Sequence, residues 1–253
     1  MNKTAIIIPT YNEAENLPIL VEQLLNLGIS GLNILVVDDN SPDGTGQIAE
    51  SLKKSYPDQL SVIHRTSKQG LGTAYIAGFK YCLDQGMDKI LQMDADFSHS
   101  PEKVAVLLDG LQDYDMVLGS RYVEGGRLDD EWAVWRKALS AFGNIYTRLI
   151  LGSKVRDITG GFRAWRSETL KGLPLDRVKS QGYAFQIEMA YLTQLLGFSI
   201  LELPIYFAER TRGDSKMSLK IQLEAALRVW LIVAEYKDLR KNRRNRSGRR
   251  MDQ

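Results

Sequence analysis

A chain of 253 residues, 44% hydrophobic and 25% charged, can build one large domain with its own core and has the make-up of an ordinary globular protein. Its single cysteine, Cys82, excludes an intrachain disulfide and fits a reducing compartment. The net charge of +2 is unevenly spread: residues 237–253 hold eight Lys/Arg and two Asp, a local +6, so the remainder carries −4.

The N-terminal MNKTAIIIPT has three isoleucines before a proline, too short an apolar run for a signal peptide. Five apolar runs predict strands: Thr4–Ile8, Asn33–Val37, Leu60–His64, Lys89–Met93 and Asp115–Leu118. Helices are predicted between them, over Glu13–Leu27, Gly44–Ser55, Gly70–Asp84 and Pro101–Leu111. In the first, Leu17, Leu20, Val21, Leu24 and Leu25 form a core-facing stripe. Cys82 falls in the third, among Ala, Phe and Tyr, and reads as a buried, inert thiol. Ser100 before Pro101 reads as the cap of the fourth. This alternation predicts an α/β domain with a mainly parallel sheet and crossover helices.

Residues 131–151 place Trp135, Leu139, Phe142, Tyr146 and Leu149 on one helical stripe, with Arg136, Ser140, Asn144 and Arg148 on a polar line. Two readings fit: an amphipathic helix packed on the domain, or a helix at a membrane surface whose polar line receives a lipid phosphate. The paired glycines Gly160 and Gly161 allow close backbone approach and follow Asp157, which either lies near a bound sugar or serves the fold. A helix over Gly182–Leu196 carries Glu188, either the buried partner of a cation or solvent-facing. The last helix, Ser218–Tyr236, groups Leu219, Leu223, Ala226, Leu227, Trp230 and Ala234 opposite a Lys220, Glu224, Arg228 ladder. Its longest apolar run, Val229–Ala234, is far short of the roughly 20 residues of a membrane span. The basic stretch beyond it reads as a disordered tail. No aromatic interleaving or nucleic-acid motif accompanies that tail, so no nucleic-acid partner is expected.

Ligands of open α/β sheets bind beyond the carboxyl ends of the strands. Pro9–Glu13 follows the first strand, Asp38–Gly44 the second and Asp94–Asp96 the fourth. Neither a G-x-G-x-x-G fingerprint nor a Walker loop is present, so a nucleotide is held by other means: Tyr11 against a base or sugar, Asp39 accepting from base or ribose. On a strand, Asp94 and Asp96 point to one side and repel unless a cation lies between them. Hard carboxylate oxygens suit Mg²⁺ or Mn²⁺ bridging to substrate phosphates. His64 and His99 are too far apart in sequence to argue a metal pair, and His99 reads as support for the Asp94–Asp96 loop.

Eight segments in order, IIIPTYNEAENL, VVDDNSPDGT, GLGTAYIAGFK, QMDADFSHSPE, GSRYVEGG, DITGGFRAWR, GYAFQIEM and PIYFAERTRGDSK, together resemble the dolichyl-phosphate (polyprenyl-phosphate) β-mannosyltransferases. These are inverting family-2 glycosyltransferases with a GT-A fold, and the likeness runs from about residue 4 to about residue 219. The resemblance implies that Pro9, Tyr11, Glu13, Val37 and Asp39 line the guanosine pocket of GDP-mannose. It implies that Asp94, Ala95 and Asp96 hold metal and diphosphate, with Ser98 as a further ligand directly or through water. Arg121, Arg210 and Lys216 match residues that meet phosphate, and Arg136 and Ser140 match the acceptor-phosphate residues. Asp96, Arg121 and Arg136 are thereby the residues expected to carry the chemistry.

The expectation is a catalytic domain over 1–217, an amphipathic helix over 218–236 and a tail over 237–253. Mannose would pass from GDP-mannose to a polyprenyl phosphate, with the enzyme peripheral on the cytoplasmic face of a membrane and room for a membrane-spanning partner subunit. A phosphomonoester is already anionic near pH 7, so no general base need be found. Rival readings are a transferase moving glucose or another sugar to the same lipid, and a non-catalytic nucleotide-sugar-binding subunit.

Overall fold

A computed structural model describes residues 3–208 and 219–241, with side chains of the last helix described from Ala226 onward. In chain order the first half runs β1 (Thr4–Thr10), α1 (Leu17–Leu25), β2 (Leu32–Asp38), α2 (Thr45–Ser55), β3 (Leu60–His64), α3 (Leu71–Asp84), β4 (Lys89–Gln92), α4 (Lys103–Gly110) and β5 (Met116–Ser120). The second half runs β6 (Arg127–Leu128), α5 (Val134–Leu151), β7 (Arg163–Arg166), α6 (Ser167–Gly172), α7 (Gly182–Leu195), β8 (Ile200–Pro204), β9 (Tyr206–Phe207) and α8 (Leu219–Glu235).

The main sheet has the order β3-β2-β1-β4-β7-β5-β8, and β7 alone runs antiparallel to its neighbours. Strands buried on both faces read as continuous aliphatic runs. Ile6 and Ile8 of β1 accordingly pack with α1 and α4, while Ala5 and Ile7 face α3 and α7 on the other side. Register brings Thr10 beside Asp38 and Ile7 beside Gln92, so the chain leaves β1, β2 and β4 at one edge. Because β7 is antiparallel, with Arg163 opposite both Gln92 and Leu118, the segment leading into it reaches that same edge. β6 and β9 form a separate parallel pair, Leu128 opposite Phe207.

Several local expectations are corrected. The first helix starts at Leu17, not Glu13, because Asn12 turns the chain at φ 62° and Pro18 supplies the helix start. Pro101 lies in a turn before α4, and Ser100 offers its carbonyl to the Lys103 amide, not its side chain as a cap. β7 and β8 were not anticipated; RAWR is short and half arginine, and it is a strand only because its neighbours bury it. In α8 the core-facing residues are Val229, Ile232 and Tyr236, while Leu227 and Trp230 from the expected apolar side are exposed. Glu188 is fully buried, accepting from the Ser180 amide at 2.9 Å and the Tyr236 hydroxyl at 2.7 Å, with Arg228 3.9 Å away. Residues 237–241 are helical, not disordered, and Arg177 donates to Asp238 at 2.9 and 3.0 Å. The expected 217/218 boundary lies outside the described residues, as do Arg210 and Lys216.

Candidate active site

At the nucleotide edge, the turn after β2 is built by Asp38. Its carboxylate accepts from the Thr10 hydroxyl at 3.0 Å, the Ser41 hydroxyl at 2.5 Å and the Ser41 amide at 3.1 Å. Its neighbour Asp39 accepts from the amides of Gln69 and Gly70, both at 3.2 Å, and lies 2.7 Å from the Arg65 guanidinium. Asp39 therefore ties β2 to the loop entering α3, where Gly70 has φ +98° and a Cβ would meet Gln181 at 2.7 Å. Lys68 from that loop sits 3.6 Å over the Tyr11 ring. The Glu13 amide donates to Thr45 at 2.9 Å and its carboxylate accepts from Asn16 at 2.8 Å. Pro9 is half-buried and Val37 lies in the core. The five residues do share one edge. Arg65 and Lys68 share that edge through Asp39 and Tyr11, and as lone cations in a polar stretch they carry no sequence signal.

The Asp94–Asp96 pair does not ride on a strand. β4 ends at Gln92, and a bend follows in which Phe97 takes φ 61° and the Ser98 amide and hydroxyl donate to Asp96 at 3.1 and 2.6 Å. Asp94 is held from behind by the Tyr75 hydroxyl at 3.0 Å. Burial, and after it the Asp94 charge, raises the Tyr75 phenol well above its ordinary range, so it remains a donor. His99, buried, stacks on Phe162 at 4.9 Å and lies 3.3 Å from the Asp94 amide through Nδ1, which is a supporting place. No group of three or more His, Cys, Asp or Glu gathers around a metal site among the described residues. Two carboxylates and a hydroxyl fit a hard divalent ion that completes its shell from phosphate oxygens and water.

Arg121 leaves β5 buried. Its backbone N, Nε and Nη2 donate to Asp157 at 2.9, 2.7 and 2.6 Å, and Nη2 also reaches Thr159 at 2.8 Å. Burial pushes the Asp157 carboxyl up, but the Arg121 charge and hydrogen bonds prevail and hold it below the usual 3.8. The turn carrying Asp157 is fixed in its turn by Glu202 of β8, which accepts from the Arg156 and Asp157 amides at 2.7 and 2.8 Å. Of the open roles for Asp157, the structure shows the structural one: a bidentate anchor for Arg121.

The polar line of α5 faces this anchor. Asn144 is buried and donates to Thr159 at 3.1 Å, and the Tyr122 hydroxyl donates to Ser140 at 2.7 Å. Arg136 lies with its guanidinium 3.6 Å over Trp132. The opposite side is bare: Trp135, Phe142 and Leu149 are 68%, 64% and 78% exposed. Of the stripe, Trp135, Phe142 and Leu149 point outward while Leu139 and Tyr146 are half-buried, Tyr146 against the core, because Asn144 and Thr147 with Ser140 take the inward side. α8 lies alongside, Trp230 donating to the Tyr146 hydroxyl at 3.0 Å, and adds exposed Leu227, Trp230 and Leu231 to the same apolar surface.

The family model for glycosyl transferase family 2 matches residues 5–173. This chain belongs to that family. It is 46% identical over 236 residues to an undecaprenyl-phosphate mannosyltransferase of Micrococcus luteus, covering 92% of this chain and 96% of that protein. It is 47% identical over 228 residues to a polyprenol monophosphomannose synthase of Mycolicibacterium smegmatis, covering 90% and 85%. A dolichol-phosphate mannosyltransferase of Pyrococcus furiosus is 37% identical over 237 residues, of which the match spans 64% of its length. Among solved structures, glucosyl-3-phosphoglycerate synthase from Mycobacterium tuberculosis, in complex with Mn²⁺, UDP and glucosyl-3-phosphoglycerate, superposes with TM-score 0.64 at 17% identity, covering 92% and 80% of the two chains. Mannosyl-3-phosphoglycerate synthase from Rubrobacter xylanophilus gives 0.63 at 18%, covering 96% and 76%. At such identities the likeness is one of fold, and the family-2 chain described here has the GT-A fold.

Proposed function

We propose that this family-2 chain transfers mannose from GDP-mannose to a polyprenyl phosphate, inverting the anomeric carbon to give polyprenyl-phosphate β-mannose and GDP. The observation that carries the reading is the orientation of α5, with Ser140 and Asn144 turned to the Arg121–Asp157 edge and large apolar side chains turned to the outside. A lipid with an ionic head needs such a helix: polar where the phosphate enters, apolar where the chain lies. The names of near-full-length relatives support the sugar and the lipid class.

In this reading Pro9, Tyr11, Glu13, Val37 and Asp39 receive the guanosine, and Arg210 and Lys216 the diphosphate. Asp94 and Asp96 would hold Mg²⁺ or Mn²⁺, which supplies positive charge against the departing diphosphate. Ser98, whose hydroxyl donates to Asp96 at 2.6 Å, would add its oxygen to that ion directly or through water. Arg136 and Ser140 orient the acceptor phosphate, whose own anionic oxygen is the nucleophile and needs no base. Arg121, its orientation fixed by the ion pair with Asp157, is in this reading the residue of β5's end that meets phosphate. No described helix is long and apolar enough to cross a membrane, and the α5–α8 surface is read as lying on the cytoplasmic face of one, alone or beside a membrane-spanning partner subunit.

The test is transfer from radiolabelled GDP-mannose, GDP-glucose and UDP-glucose to polyprenyl phosphate, with and without added divalent metal. Product from GDP-mannose alone is expected; product from a glucose donor alone overturns the sugar assignment. Asp96→Ala should lower metal-dependent turnover by at least about 100-fold in a folded protein. Undiminished turnover of that variant refutes the metal site.

A further inference from the structure

Trp132 stands one residue before Ala133, the cap of the eighteen-residue helix α5. It is 7% exposed, and its indole Nε1–H has no hydrogen-bond partner among the described residues. An indole nitrogen only donates, and a buried donor left unmet is costly enough that native folds rarely leave one without water, ion or ligand.

Its surroundings narrow the partner. The Arg136 guanidinium lies 3.6 Å over the indole face, a stacking that fixes the plane of an arginine fork. The Phe207 ring meets Trp132 edge-on at 5.9 Å, and Phe207 in turn lies 5.5 Å from His99 of the Asp94–Asp96 loop and 5.2 Å from Arg121. The β6–β9 pairing, continued by the Asp129 amide to the Phe207 carbonyl at 3.0 Å, holds these groups together. A stacked cation and an unmet donor therefore belong to one tryptophan at the positive end of a long helix that has no side-chain cap. That combination suits an anionic oxygen.

We propose that Trp132 is a binding residue for the acceptor phosphate: its face sets the Arg136 guanidinium, and its Nε1–H donates to a phosphate oxygen. This rests on the reading that the Arg136–Ser140 side of α5 receives polyprenyl phosphate. It adds a neutral donor that discriminates the oxygen by direction, where Arg136 alone attracts by charge.

The test uses the full chain with farnesyl phosphate as a short acceptor. Trp132→Phe keeps an aromatic face under Arg136 and removes only the donor. It should raise the KM for farnesyl phosphate about 10- to 100-fold, the range for losing one hydrogen bond to a charged oxygen, with a smaller effect on kcat and on the KM for GDP-mannose. In ¹⁵N-tryptophan-labelled wild type, four tryptophans give four indole resonances. The one missing from Trp132→Phe should move on adding farnesyl phosphate and stay in place on adding GDP. Should Trp132→Phe fail to fold, Trp135→Phe and Trp230→Phe assign the two exposed indoles and Trp165→Phe the buried one that already donates to Gln92 at 3.0 Å, and the one remaining resonance must still respond to the acceptor. An unchanged acceptor KM with an unmoved indole overturns the proposal, and so does a rise confined to the KM for GDP-mannose. Wild type that makes no product from any polyprenyl phosphate overturns the acceptor reading and this inference together; an active wild type with an unaffected variant overturns only the role of Trp132.

Discussion

Asp157 is fully buried, and Arg121 beside it is nearly so, which makes each the condition for the other. Removing one member of such a pair strands a buried charge, at a cost of about 3–5 kcal/mol. Asp157→Asn should lower unfolding stability by that amount near pH 7, measured by urea titration. Because the folded carboxyl is held below its ordinary 3.8, the pair's contribution is complete above that value and is lost as pH falls through the lowered folded one. The gap between wild type and Asp157→Asn should therefore close below about pH 4; a gap constant down to pH 2 contradicts the pairing. The sequence left Asp157 between a sugar contact and a structural part, since a carboxylate next to two glycines serves either. Its partner lies 36 residues away, and only the sheet brings the two together. Asp39 shows the same limit: its place at a strand end was legible, but not that Arg65 and the Gln69–Gly70 amides already engage it.

At the scale of elements, α5 has a periodicity legible in its residues and a facing that periodicity cannot give. A two-sided helix fits a core with its apolar side or a site with its polar side, and the choice depends on what the neighbouring strands offer. Here the turn after β5 and the turn before β7 offer Tyr122 and Thr159, which take Ser140 and Asn144. Replacing Trp135, Phe142 and Leu149 together by Gln removes only exposed groups, so the thermal midpoint should stay nearly unchanged. Each large apolar side chain entering a bilayer contributes about 1.5–3 kcal/mol, so sedimentation with vesicles should fall by more than about tenfold. Transfer to farnesyl phosphate should persist. Equal sedimentation of both proteins means that this surface does not meet lipid. β7 is the opposite case, an element with no legible pattern of its own, whose buried Arg163 is met by the carbonyls of Gln186 and Ile158 at 2.8 and 3.0 Å.

For the molecule as a whole, the charge is uneven, +6 over residues 237–253 against −4 in the rest. The basic end follows α8, whose Leu227, Trp230 and Leu231 continue the exposed apolar surface of α5. Residues 237–241 belong to the folded part through Asp238 and Leu239, so the informative truncation removes 242–253, with Arg243, Arg244, Arg246, Arg249 and Arg250. Near an anionic leaflet each basic residue contributes about 1 kcal/mol, weakened by salt. The truncated protein should bind anionic vesicles less tightly at low salt and match the full chain at high salt, with stability and farnesyl phosphate turnover unaltered. Identical vesicle binding at low salt means the charge has another purpose. By itself the sequence determined the alternation of strands and helices, the strand ends that carry Tyr11, Asp39 and Asp94, and the family, because each is written in contiguous residues. The tertiary structure decided the antiparallel β7, the Asp157–Arg121 anchor, the outward apolar side of α5 and the meeting of Trp132, Arg136 and Phe207. Those depend on contacts between segments far apart in the chain, and a local pattern holds no information about which surface a distant segment will present to it.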